Sequence, residues 1–416
     1  MKEAERMSKE KIQVIERAGL PESPAELFGA AARYKGERYF YMNKDRSEWL
    51  MGLGHAFVIK EKRRSPGRIT EQYQALLERV EGPHSVRLFG GFQFDDGDSA
   101  LFSDFGHSHF VWPKIQVICR GHELTYTYTD MTEEEIIDWR QSAETAAPNI
   151  TAIDNLDEEK FLSNVRTAVA AMNNHLFDKV VLSRQKKVTA ENEIDSAWLL
   201  QNGLKNHENS YLVLIEQNDK IFVSRTPEQL VKVENQVLST NAIAGTMSRS
   251  VVHAEEKLLG DAKNLGEHAI VVRSIEADID DFTSEVKMPA SPQIMVNNFF
   301  YHLYTPIEAR ISEGDILAVS HALHPTPALG GFPKEKAARF IKEVEGDRGF
   351  YGAPIGYITP DFDGEFIVAI RSMLIHRETA VLFAGCGVVK DSVPESELFE
   401  TEIKFKPMLQ LLGVTQ

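Results

Sequence analysis

The sequence predicts an α/β fold of the α+β kind, with strand-like runs in its first third and helices and strands interleaved after it. Short alternating runs such as Arg38-Tyr39-Phe40-Tyr41 and Thr125-Tyr126-Thr127-Tyr128 have the period of two that marks strands. Phe161, Val165, Ala168, Val169, Met172 and Leu176 fall on one face at helical spacing. Apolar residues make up 43% of the 416 and charged residues 26%, a globular balance with enough apolar material for a sizeable core.

Taken in order, the first 35 or so residues are expected to be helical, with Ile12, Ile15 and Leu20 as the apolar stripe. From Glu37 to about Thr129 strands are expected, with turns at Gly90-Gly91 and Asp95-Asp96-Gly97-Asp98 and one helix at about 71–80. Residues 130–155 turn acidic and then irregular through Ala147-Pro148-Asn149, the best linker in the chain, which divides 1–150 from 151–416. Beyond the 161–176 helix the pattern gives a strand at 179–184, a helix at about 195–205, and strands at 211–216, 221–224 and 237–242. A long helix at 252–279 and another at 334–344 follow. Strands at 355–358, 366–376 and 379–383 precede a last helix at about 395–411.

A net charge of −16 argues against a nucleic-acid binder, which needs a basic face to neutralise phosphates. The two cysteines, Cys119 and Cys386, make neither a disulfide framework nor a zinc site and suit a reducing cytoplasm. The start Met1-Lys2-Glu3-Ala4-Glu5-Arg6 lacks the apolar stretch of a signal peptide, and no run of apolar residues is long enough to span a membrane.

Five groups of residues could carry chemistry. On the last helix, Glu397, Glu400 and Lys404 share a face, just after the glycine-bearing run Ala384-Gly385-Cys386-Gly387 at an expected strand end. Lys263 and Glu267 are four apart on the long helix, and two carboxylates from two helices meet what magnesium asks of a protein. Glu228, after Thr226-Pro227, is either a helix first-turn acid or a general acid. Lys179 opens an apolar strand, where a lysine either reaches out to solvent or stays neutral as a base. Finally, Leu323 to Pro333 is a rigid loop dense in proline and glycine. The two charged helix faces and Lys179, taken alone, are more often ordinary surface features than sites, whereas Glu228 and the loop stay open between the two readings.

In order along the chain, these segments resemble the chorismate-utilising enzymes: Lys179 to Arg184, Thr226-Pro-Glu228, Ala242-Ile-Ala-Gly-Thr246, Lys263 through Glu267-His268, His302-Leu303, Leu323 to Pro333, Asp347 to Gly352, Val368 to Arg371, and Ala384 to Val388 with Glu397, Glu400 and Lys404. The likeness spans roughly Leu156 to Gly413, and Phe89-Gly90-Gly91-Phe92 with Trp112-Pro113 resemble the family's variable N-terminal half. It implies one large antiparallel β-sandwich with helices outside. It implies Mg²⁺ on Glu267 and Glu400 with Glu397 close by. It implies Arg371, Tyr351 and the Gly387 N–H on the enolpyruvyl carboxylate of chorismate, Gly245, Thr246 and Lys404 on the ring-carboxylate side, and His302 and Leu329 near the ring.

Within the family, Lys179 and the His324-to-Gly331 loop resemble the members that add water, and Ala244 stands where aminodeoxychorismate synthases carry a lysine. The resemblance is therefore nearest to isochorismate synthases. Lys179 would activate water for attack at C2, and Glu228 would protonate the leaving C4 hydroxyl. Salicylate synthase is the alternative within the family and a non-catalytic chorismate-binding protein the alternative outside it. The branch serves menaquinone, catechol siderophore or salicylate synthesis, and the residues leave these open. The expected partners are chorismate alone, without nucleic acid, membrane or an obligatory glutamine amidotransferase, in a monomer or weak homodimer.

Overall fold

Runs such as Tyr39-Phe40-Tyr41-Met42 and Tyr211-Leu212-Val213-Leu214-Ile215 are apolar at every position, so a strand built from them must be covered on both faces. A computed structural model shows how, for residues 11–97, 99–141, 144–205, 209–296, 300–346 and 348–414. The N-terminal part comprises β1 (Ile12–Gly19), α1 (Pro24–Gly29), β2 (Arg38–Met42), β3 (Glu48–Glu61), α2 (Pro66–Leu77), β4 (Val80–Glu81), β5 (Leu88–Phe92), β6 (Ser108–Arg120), β7 (Glu123–Thr129) and α3 (Glu133–Ile137). The middle comprises β8 (Ile150–Leu156), α4 (Glu158–Asn173), β9 (Lys179–Ala190), α5 (Ser196–Lys205), β10 (Tyr211–Gln217), β11 (Lys220–Thr226), β12 (Gln229–Glu234), β13 (Val237–Ser248), α6 (Ala254–Gly260) and α7 (Ala262–Ile279). The C-terminal part comprises β14 (Thr283–Lys287), β15 (Gln293–Val296), β16 (Phe300–Ile311), α8 (Ile316–Leu323), β17 (Gly331–Phe332), α9 (Lys334–Val344), β18 (Pro354–Ile358), β19 (Gly364–Val368), β20 (Ser372–His376), β21 (Thr379–Val389) and α10 (Pro394–Leu411).

The strands form two antiparallel layers that share β6. One runs β1–β7–β6–β3–β2–β10–β11–β20–β21–β9–β8. The other leaves the start of β6 as β5–β18–β19–β12–β13–β16, with β14 and β15 both on β16. Tyr39, Tyr41, Val213, Ile215, Phe222 and Leu374 of the first layer meet Phe89, Ile355, Tyr357 and Ile367 of the second in one core. The alternate residues Phe40, Met42, Leu212, Leu214, Val223 and Met373 face outward under α1, α5 and α10. Helices α2, α7 and α8 cover the second layer, and α4 and α9 cover the β9–β21 end of the first. The antiparallel sandwich with outer helices is the architecture the resemblance implied.

Five local expectations need correction, the first being the turn at Gly90-Gly91, which lies inside β5 and pairs with β18 and β6. The N-terminal segment is a strand: Ile12 and Val14 alternate inward, 0% and 4% exposed, while Leu20 is 81% exposed. Residues 1–10 of that expected helix lie outside the described residues. The acidic stretch after Thr129 folds as α3 and β8, and β8 pairs with β9 along Asn155↔Lys186 and its neighbours. The long helix breaks at Asp261, whose carboxylate accepts the Asn264 N–H at 2.8 Å and restarts the chain as α7. The strand expected at 366–376 breaks at Arg371, whose φ is 48°. No helix among the described residues is long and apolar enough to cross a membrane.

Phe222 is fully buried between the layers against Phe102 and Phe350. Phe222→Ala is expected to cost about 3–5 kcal/mol of stability. Phe399→Ala, at a position 67% exposed, should stay within about 0.5 kcal/mol of wild type. Urea unfolding midpoints of the two variants check the contrast.

Candidate active site

Lys179 is the first residue of β9, paired with Val389 of β21 in a register that sets Val181 opposite Gly387. Its side chain lies over Gly387, where an added Cβ would stand 3.1 Å from the lysine Cε. A side chain at 387 would therefore push the amine aside. The Lys179 ammonium is held below its ordinary pKa chiefly by burial, and Lys404 adds to this. Glu267, Glu228 and Glu400 oppose it, so all three carboxylates lie close enough to act on this one amine.

Glu228 sits neither in a helix nor in a strand. Pro227 ends β11, the Glu228 N–H donates to Thr226 Oγ1 at 3.1 Å, and its carbonyl accepts the Val368 N–H at 3.0 Å. Burial raises the pKa of its carboxyl, against the pull of Arg371, Lys44, Lys179 and Lys404. The helix first-turn alternative is thereby set aside, and the same burial that discourages charge on the lysine discourages it on this acid.

Arg371 follows the break between β19 and β20 with a left-handed backbone, which costs about 1–3 kcal/mol in a residue with a large side chain. The turn is fixed from both sides: Arg225 N–H donates to the Arg371 carbonyl at 2.9 Å and Ser224 Oγ donates to the Ile370 carbonyl at 2.8 Å. The guanidinium lies within electrostatic reach of Glu228, Glu400 and Tyr351. Tyr351 stacks on Phe383 with ring centroids 5.6 Å apart, and its hydroxyl comes so near Gly385 that a Cβ there would stand 2.6 Å from it.

The glycine-bearing run is not a strand end, as the sequence suggested; Gly385 and Gly387 lie inside β21. Lys404 of α10 donates to the Gly385 carbonyl at 2.9 Å and pairs with Glu400 at 2.5 Å. Glu397, one turn before Glu400, hydrogen-bonds with the Cys386 thiol, whose pKa burial pushes well up.

On the second layer, β13 slips register against β16 between Ile243 and Thr246. Gly245 occupies that bulge with φ of 82°, and a Cβ there would come within 3.0 Å of Leu303 and 3.2 Å of Asn264. Thr246 Oγ1 meets His302 Nδ1 at 2.9 Å across the strands. His268, beside Glu267 on α7, ties the helix to the bulge: its Nδ1–H donates to the Ala244 carbonyl at 3.1 Å and its Nε2 accepts from Thr305 Oγ1 at 2.7 Å. Among the described residues no three His, Cys, Asp or Glu side chains stand close enough to hold a metal ion together. Glu267 and Glu400 remain as a pair of hard oxygen donors within electrostatic reach of the same amine, Glu400 also paired with Lys404.

Sequence reasoning passed over the Glu345–Arg348 pair. Arg348 Nε and Nη2 donate to Glu345 at 2.8 and 2.9 Å, and both side chains are under 6% exposed. Arg348 also donates to the Val181 carbonyl at 2.7 Å and to the Leu329 carbonyl at 3.2 Å, while Glu345 accepts the Ser183 N–H at 2.5 Å and its hydroxyl at 2.7 Å. These groups fill the stretch of β9 between its pairings with β17 and β8. The signal available was a glutamate three residues before an arginine, which surface ion pairs share. Asp347, between them, lies outside the described residues. A separate polar groove of about 470 Å³, lined by Arg87, Lys232, Tyr357 and Asp363, contains none of the residues expected at the site.

A family profile described as "Chorismate binding enzyme" matches residues 1–413. The chain belongs to the chorismate binding enzymes. Among curated relatives it is 34% identical to the isochorismate synthase MenF of Bacillus subtilis, over 94% of this chain and 91% of that protein. It is 31% identical to the salicylate biosynthesis isochorismate synthase of Pseudomonas aeruginosa, over 83% and 79%. The fold superposes on the menaquinone-specific isochorismate synthase MenF of Escherichia coli with a TM-score of 0.83 at 21% identity, covering 100% of this chain and 98% of that one. Anthranilate synthase component I of Streptococcus pneumoniae gives 0.71 at 22%, over 87% and 92%.

In this chorismate binding enzyme Arg348→Met would leave a buried carboxylate uncompensated and is expected to cost about 3–5 kcal/mol. Replacing both partners with apolar residues should cost less. Chemical denaturation of the single and double variants measures the difference, and a double variant that loses as much as Arg348→Met would mean that the unpaired carboxylate is not the source of the cost.

Proposed function

We propose that the chain is an isochorismate synthase, adding water at C2 of chorismate and releasing the C4 hydroxyl, with the reverse reaction open by the same steps. The observation that carries this is the opposed tuning of Lys179 and Glu228 by burial around one set of carboxylates and cations. Lys179 with its pKa lowered is able to be neutral and take a proton from water, whose oxygen bonds to C2. The ring double bonds shift and the C4–O bond breaks. Glu228 with its pKa raised keeps a proton and delivers it to the departing hydroxyl, which leaves as water. One water enters and one leaves, so the net change is an isomerisation.

Arg371, Tyr351 and the exposed backbone of Gly387 would hold the enolpyruvyl carboxylate, where an arginine fork suits a planar anion. Gly245, Thr246 and Lys404 would flank the ring carboxylate, with His302 and Leu329 against the ring. Mg²⁺ is the proposed cofactor. Glu267 and Glu400 offer the hard oxygens it takes, and Glu397 stands one turn away to hold a coordinated water. The ion would neutralise the ring carboxylate. The enzyme would act in the cytoplasm, where Cys119 and Cys386 stay reduced, as a monomer or weak homodimer needing no amidotransferase.

Lys179→Ala and Glu228→Gln should each lower kcat by roughly 10²–10⁴-fold. Product chromatography with pure protein, chorismate and Mg²⁺ is expected to give isochorismate; release of salicylate would replace this reading with its sibling activity, and full activity in either variant would remove that residue's role. The pH profile should be bell-shaped. Rate falls toward acid as Lys179 becomes ammonium and toward base as Glu228 becomes carboxylate, and the shifts, one down from 10.5 and one up from 4.5, bring the two limbs towards each other. Chelation with EDTA should abolish turnover and added Mg²⁺ restore it, with Glu267→Gln needing more metal for half-activity.

A further inference from the structure

Glu365 of β19 is a carboxylate in the aromatic core between the layers, 6% exposed. Such a group is costly to bury, and a well-packed apolar residue would serve stability as well or better. Three donors satisfy it: Tyr41 Oη at 2.8 Å and Tyr211 Oη at 2.7 Å from the first layer, and Gln229 Nε2 at 2.9 Å from the second. Gln229 Oε1 in turn accepts from Asn241 at 3.3 Å, and Asn241 Oδ1 accepts the Tyr304 hydroxyl at 2.8 Å. Gln229 directly follows Glu228 and opens β12, at the place where that strand slips register against β19. A bulged strand start lacks the regular ladder that would otherwise fix its neighbours. The side-chain chain from Glu365 to Tyr304 takes over that task within the second layer, and Tyr41 and Tyr211 tie it to the first.

We propose that Glu365 is a positioning residue for Glu228: by clamping Gln229 at the bulged start of β12, it fixes the preceding carboxyl group beside Lys179 and Arg371. This rests on the reading of Glu228 as the proton donor. Lys44, whose ammonium stands 5.4 Å from the Tyr211 ring centroid, lies within electrostatic reach of both Glu228 and Glu365, so the two carboxylates share one cation.

The test is a kinetic double-mutant cycle at saturating Mg²⁺, with kcat and KM for chorismate measured separately and thermal unfolding followed in parallel. Gln229→Met cuts the clamp and leaves Glu365 its two tyrosines. It is expected to lower kcat by roughly 10–100-fold with KM within about 3-fold of wild type. Glu365→Leu should match it, and Glu365→Gln, which keeps an acceptor for Gln229, should recover part of the loss. In a Glu228→Gln background none of the three should lower the remaining rate further. A wild-type kcat in Gln229→Met, or an equal further loss in the Glu228→Gln background, overturns the positioning role. Full activity in Glu228→Gln itself overturns the proton-donor reading, and the positioning role falls with it by a separate and recognisable result.

Discussion

The Glu345–Arg348 ion pair stands where one edge of β9 has no neighbouring strand among the described residues. On one edge β9 is laddered to β21 along almost its whole length; on the other it meets β17 at its first two residues and β8 from Gln185 onward. The buried donors and acceptors between, Val181 C=O and Ser183 N–H, need partners, because an unmade buried hydrogen bond costs about 1–3 kcal/mol. Arg348 and Glu345 supply them, and Gly330 supplies the carbonyl for the Val181 N–H. A strand neighbour in that place would run across the flank where Leu329 and the proline-rich loop now approach. The charged pair closes the ladder with side chains alone, so the strand that carries Lys179 has its buried backbone groups satisfied on that edge without a further strand.

The electrostatics of the site follow from the same arrangement. The carboxylates Glu228, Glu267 and Glu400 and the cations Lys179, Lys404 and Arg371 come from five elements or connections, Glu400 and Lys404 sharing α10, and lie within electrostatic reach of one another, with Glu267 and Glu400 at the exposed side. Burial is the largest influence on Lys179 and on Glu228, and it drives both toward their neutral forms. A neutral amine and a neutral acid are what a base and a proton donor need to be. The left-handed turn at Arg371 belongs to the same economy of position: it lets one residue leave the β19–β20 path and direct its guanidinium at the site, at a backbone strain that Ser224 and Arg225 hold in place.

Much of this was legible in the residues. Helix 334–344 emerges with the bounds expected of it, since Pro333 stops the preceding chain and Ala337, Phe340 and Ile341 face inward at helical spacing. The strand opened by Lys179 and the helix bearing Glu400 are also where the pattern put them. The failures share a cause. Ile12, Ile15 and Leu20 fit a helical stripe, but alternation of Ile12 and Val14 against β7 and β4 wins because the sheet edges offer unpaired backbone groups. The Gly260-Asp261 pair inside the long helix was a stop followed by a cap, and local spacing alone does not rank it above the continuing apolar period.

What the sequence determined by itself was the kind of chain: α+β, globular, and, through the order of its motifs, a chorismate binding enzyme with two lysines, an arginine and four glutamates worth following. Chain order carries that because each motif is local, a few residues whose types and spacing survive without knowledge of their neighbours. Only the tertiary structure decided which of those groups meet. Lys179 and Glu228 are tuned by burial, which no residue carries in its own identity, and Glu345, Arg348 and Glu365 gain their roles from partners that are mostly far away in the chain. Hydrogen bonds and low dielectric act through space, so the chain had to fold before those side chains could be told from ordinary charges on a surface.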